Sequence, residues 1–71
     1  MLTVVKIDGE KVQAARERRF LSQRELAERA GINRNTVWRI ETSGHTEVHP
    51  RTIRKIAEAL SVDPDTLTPE E

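Results

Sequence analysis

Apolar residues in this chain recur at three- and four-residue intervals, and polar helix-boundary signals separate the runs. Val12, Ala15, Arg19 and Phe20 fall at i, i+3, i+7 and i+8, which predicts a first helix from about Glu10 to Phe20 with that stripe turned inward. Asp8 precedes it as an N-cap whose carboxylate can accept first-turn amides. Ser22-Gln23-Arg24-Glu25 has capping-box spacing and opens a short second helix over about 22–30, with Leu26, Ala27 and Ala30 facing inward. Gly31 stops it, because glycine alone takes the left-handed conformation at no steric cost. Asn33 caps a third helix over about 33–42, in which Val37, Ile40 and Glu41 share one side. Pro50 suits the start of a fourth helix with the stripe Ile53, Ile56, Ala57 and Leu60. Asp63-Pro64 repeats the cap-then-proline signal for a short fifth helix ending at Leu67.

Outside these helices, Leu2-Thr3-Val4-Val5-Lys6-Ile7 is β-branched and reads as a strand-like arm. It is expected to fray, to pair with Thr46-Glu47-Val48, or to cross to another subunit. The segment from His45 to His49 reads as a loop with some β character. The predicted architecture is a single all-α domain over 1–71, five helices around one core, with the arm at 1–7, helices two and three at 22–42 and helices four and five at 50–68.

Composition narrows the function classes. Seventy-one residues make a domain that buries only about 60% of its unfolded surface, so regular helix packing or a partner subunit has to supply stability. Cysteine is absent, which excludes disulfides, thiolate metal sites and thiol catalysis. No apolar run is long enough to span a bilayer, and the start of the chain lacks the apolar segment of a signal peptide, so no membrane contact and a cytoplasmic setting are expected. Twelve basic and twelve acidic residues cancel. Their distribution is uneven: positions 16–39 hold seven arginines against three glutamates, and positions 56–71 hold five acids and no base. A basic middle is either a solvated surface or an electrostatic footprint for nucleic acid, and charge does not choose between them. His45-x-Glu47-x-His49 lacks the i, i+4 spacing of helical zinc motifs and a third ligand set, so no metal and no cofactor are expected.

Two helices joined by about four residues with a glycine, the second opening on polar residues, describe a helix-turn-helix. The pieces Leu21-Ser22-Gln23, Glu25-Leu26-Ala27, Ala30-Gly31, Val37, Ile40-Glu41, Pro50 and Ile56-Ala57-Glu58-Ala59-Leu60 resemble the phage repressor and Cro family of DNA-binding domains, from about Val12 to Leu67. Independently of that, Ala27 and Gly31 are small where two helices have to cross closely. A helix also fits the major groove, so its first turn can reach base edges.

The resemblance implies roles for named residues. Arg34, Asn35, Thr36 and Arg39 match base-reading positions. Arginine can bond guanine O6 and N7 in parallel, and asparagine adenine N6 and N7. Gln23, Asn33 and Arg51 match positions that hold the DNA backbone, Asn33 as a helix cap first. Arg16 and Glu41 match a salt bridge between the first helix and the end of the third. Trp38 reads as packing at the edge of that surface.

The function so implied is sequence-specific binding of double-stranded DNA by a small transcriptional regulator of repressor type, bacterial or phage-encoded and nucleoid-associated. It would act as a homodimer on a palindromic operator, with half-sites about 34 Å apart. Leu60, Val62 and Leu67, or the arm, would form the dimer surface. One alternative is an antitoxin that binds DNA and also a protein toxin. A second is a protein-interaction module that keeps the fold without touching DNA. An enzyme is excluded, since no nucleophile–base set, phosphate loop or carboxylate pair is visible.

Overall fold

A computed structural model describes residues 3–69. Its elements run in the order β1 (Val5–Asp8), α1 (Gly9–Arg18), α2 (Gln23–Ala30), α3 (Arg34–Ser43), β2 (His45–Val48), α4 (Pro50–Leu60) and a single 3-10 turn (Pro64–Leu67). The expectation of five helices in an all-α domain is therefore corrected. Among the described residues there are four α-helices, and the last segment is too short to close an i→i+4 ladder. The Thr66 amide bonds the Asp63 carbonyl and the Thr68 amide the Asp65 carbonyl, both at i→i+3 spacing.

A sheet also corrects the all-α expectation, and it is one of the three outcomes expected for the arm. β1 and β2 pair antiparallel, with Val5 opposite Val48, Lys6 opposite Glu47, Ile7 opposite Thr46 and Asp8 opposite His45. The segment read as a loop at 45–49 is thus mostly strand, and the arm finds its partner within the chain. Period-two alternation explains the register: Ile7 is buried and Val5, Thr46 and Val48 are half-buried, while Lys6 and Glu47 are exposed as an opposite-charge pair. Leu2, where the arm was read to begin, lies outside the described residues.

The Asp8 carboxylate ends the strand and starts α1, accepting the amides of Glu10 at 2.9 Å and Lys11 at 3.4 Å, with His45 Nε2 at 3.6 Å from its other oxygen. Gly9 then sits against α3. Its amide donates to the Gly44 carbonyl, and a Cβ placed on it would run into the Ile40 carbonyl oxygen and the Glu41 Cα. Because the obstruction is backbone and not a movable side chain, Gly9→Ala is expected to cost about 1–3 kcal/mol, read as a lower urea midpoint at unchanged m-value.

The core is filled by Ile7, Val12, Leu26, Val37, Ile40, Ile56, Leu60 and Leu67. Leu60 is 0% and Leu67 1% exposed. Neither is available to a second subunit, which corrects their expected place on a dimer surface. Only Val62 of that trio is half-buried.

Helix α1 stops at Arg18, and the predicted inward stripe is corrected at Arg19 and Phe20, both of which face solvent. Phe20 takes a left-handed φ of 57° and is 92% exposed. The reason is Leu21, which enters the core and bonds the Arg16 carbonyl through its amide. The chain has to reverse at Phe20 to deliver it. A left-handed non-glycine residue costs about 1–2 kcal/mol. Phe20→Gly removes that cost and almost no contact, so a stability gain of up to about 1 kcal/mol is expected after glycine's larger unfolded-state entropy is deducted, again measured by urea titration.

Candidate nucleic-acid interface

The site is built outward from α2, which forms where its sequence supplies both ends. Ser22 Oγ accepts the Glu25 amide at 3.0 Å, and the Glu25 carboxylate accepts the Ser22 amide at 2.9 Å. Those hydrogen bonds, with Arg29 nearby, hold the Glu25 carboxyl below its ordinary pKa. At the other end Gly31 adopts φ 70°, and the Ile32 amide reaches back to the Ala27 carbonyl at 3.0 Å. Buried Ala27 and Ala30 let the turn carry the chain straight into α3.

Asn33 caps α3, its Oδ1 accepting the Asn35 amide at 2.7 Å. Val37 and Ile40 pin the helix to the core. The opposite face therefore presents Arg34, Asn35, Trp38 and Arg39 to solvent. Among the described residues, the side chains of Arg34, Asn35 and Arg39 make no hydrogen bond or ion pair. Ten residues of α3 extend about 15 Å, a length that fits within a major groove.

Glu41, the one acid on α3, is neutralised. Arg16 donates to it twice, from Nε at 2.8 Å and Nη2 at 3.0 Å, and donates from Nη1 to the Leu21 carbonyl at 2.8 Å. The two side chains are 12% and 4% exposed. The hydrogen bond to Glu41 is the main reason the Arg16 pKa is raised above its already high ordinary value. One guanidinium thus fastens α1, the α1–α2 turn and the end of α3 together.

This geometry agrees with the first comparison. The family described as "Helix-turn-helix domain" matches residues 9–69. The chain belongs to the helix-turn-helix family. Its Cro-type resemblance extends to solved structures. The SinR protein/SinI protein complex superposes with a TM-score of 0.83 at 28% identity, covering 90% of this chain and 62% of that one. The restriction-modification controller protein C.AhdI from Aeromonas hydrophila gives 0.75 at 31% identity, covering 82% and 86%. A mutant of hydroxyethylphosphonate dioxygenase gives 0.78 at 26% identity, covering 90% of this chain. The chain spans about 14% of the length of that dioxygenase. No curated protein matches the chain by sequence.

Within the helix-turn-helix, the residues singled out from sequence are placed as follows. Arg34, Asn35 and Arg39 lie together on the outer face of α3, and Thr36 is half-buried at its side. Asn33 spends its carbonyl oxygen on its own helix. Gln23 is half-buried and donates Nε2 to Glu41 Oε1 at 3.0 Å, so it braces α2 against α3. Arg51 stands apart from this cluster, at the start of α4.

Sequence reasoning missed the company that Arg51 keeps. His49, Arg51, Arg54 and Lys55, with Pro50 and Thr52, line one depression of about 510 Å³. The signal was present in the i, i+3, i+4 spacing of Arg51, Arg54 and Lys55, which puts three positive charges on adjoining parts of one helix surface. No helix among the described residues is long and apolar enough to cross a membrane.

Proposed function

We propose that this chain binds double-stranded DNA sequence-specifically as a repressor-type regulator, laying α3 in the major groove. The observation that carries the proposal is the trio Arg34, Asn35 and Arg39: exposed, unpartnered among the described residues, and on one face of a helix that the Arg16–Glu41 pair holds in place. Arg34 serves guanine and Asn35 serves adenine through paired hydrogen bonds, Arg39 reads a base or holds a phosphate, and Thr36 touches a methyl or a phosphate beside them. Gln23 and Asn33 meet the backbone where α2 and α3 begin. Arg51, Arg54 and Lys55 supply a second phosphate contact. Phosphate contact gives affinity and register, while base contact gives specificity.

The protein works as a homodimer on a palindromic operator in the cytoplasm, at the nucleoid. Selection from a random duplex library with the purified chain tests this. The expected result is a two-fold symmetric consensus with half-sites about 10 base pairs apart. Affinity for the selected duplex should fall with salt, with a log–log slope of about −0.9 per neutralised phosphate. No enrichment at all would overturn the reading, and an asymmetric consensus would remove the dimer from it.

A protein partner is the second reading, an antitoxin holding its toxin being the form expected from sequence. It is favoured by the likeness to a chain found in a complex of two proteins and by Phe20, which projects into solvent. Stoichiometric co-purification of a second protein from the native cell separates the two readings.

A further inference from the structure

Trp38 is the large side chain on α3 that the DNA-reading proposal leaves without a task. Its expected place was at the edge of the surface, as packing. The structure leaves it half-exposed on the solvent-facing side of α3, one turn after Arg34, with its residue 52% exposed. It lines one depression of about 240 Å³ with Gln23, Arg34 and Asn35. Val37 and Ile40, on the opposite side of the helix, are fully enclosed, so the interior is complete without the indole.

The chemistry of the indole limits what it can recognise. It has one donor, Nε1–H, no acceptor, and otherwise an apolar rim and face. Base pairs present donors, acceptors and a single apolar group in the major groove, the C5-methyl of thymine. A ring set between two residues able to bond base edges meets that methyl or nothing it can discriminate by packing. Resting on the proposed major-groove reading, we infer that Trp38 is a specificity-determining residue that selects thymine through its C5-methyl, beside the base pair bonded by Arg34 or Asn35.

The test uses the duplex obtained by selection, with deoxyuridine replacing thymidine at each position of both half-sites in turn. Uracil keeps every hydrogen-bonding group of thymine and lacks only the methyl. Wild-type protein is expected to lose affinity about fourfold at one thymine per half-site, the equivalent of one buried methyl group at about 0.8 kcal/mol. Trp38→Ala is expected to bind the parent duplex more weakly and to be indifferent to that methyl. Trp38→Phe, which keeps an apolar ring and loses the N–H, is expected to retain the discrimination and guards against a fold defect in the alanine variant. Wild-type indifference to deoxyuridine at every position overturns the inference while leaving DNA reading intact. So does methyl discrimination that survives Trp38→Ala. Failure of the selection to enrich any duplex removes the parent reading instead.

Discussion

Arg16→Ala is expected to destabilise the domain by about 3–5 kcal/mol, because it strands a carboxylate that is only 4% exposed. Glu41 would keep a single side-chain donor, the Gln23 amide, and the Leu21 carbonyl would lose the Nη1 hydrogen bond. In a domain of this size each kcal/mol moves the melting temperature by about 4–8 °C, so the expected drop is roughly 12–40 °C. Arg24→Ala is the matched control. Arg24 pairs with Glu28 at 3.6 Å, but those side chains are 72% and 67% exposed, so its loss should cost less than about 1 kcal/mol. Thermal and urea unfolding followed by circular dichroism check both. If the two variants lose equal stability, the Arg16–Glu41 pair is not the brace described above.

The double variant Arg34→Ala with Asn35→Ala is expected to weaken binding to the selected duplex by roughly 30- to 25,000-fold per half-site, each paired base contact being worth about 1–3 kcal/mol. Its melting temperature should hardly change, since both residues are exposed and their side chains touch no partner among the described residues. Binding to random duplex should fall far less, because the remaining arginines still meet phosphate. Arg34→Lys sharpens the assignment. Lysine keeps the charge and loses the planar fork, so specificity at one base pair should relax while the salt slope persists. Titration of fluorescent duplexes of both kinds measures these effects. Equal loss on selected and random DNA would move Arg34 and Asn35 from bases to backbone.

What could be read from sequence was local. Ser22 with Glu25, Gly31 after Ala30, and Asp8 before α1 are contacts within four residues, and each forms where its spacing placed it. The Arg16–Glu41 pair spans 25 residues and was readable only through resemblance to a family. The β1–β2 pairing joins residues about 40 apart; sequence offered Thr46-Glu47-Val48 as one of three outcomes for the arm, and the β-branched pattern alone could not choose among them. Phe20 misled for a physical reason: apolar periodicity continued through it, yet Leu21 had the stronger claim on the interior and the chain turned to satisfy it. Leu60 and Leu67 misled in the same way, since so small a domain uses nearly all its large aliphatic residues to fill itself. On α3, the pattern of exposed polar residues was plain, but the depression that Trp38 lines with Gln23, Arg34 and Asn35 required the fold.

The anchoring of α3 has a kinetic consequence. Asn33 secures its first turn, Arg16 grips Glu41 near its end, and Gly9 clasps Gly44 just beyond. A rod fastened at both extremities reaches a duplex already shaped and gives up little freedom on arrival. It also has no slack with which to accommodate an incorrect operator. Good and poor targets should therefore be met at similar frequency and differ in how long the protein lingers, so discrimination belongs to residence time.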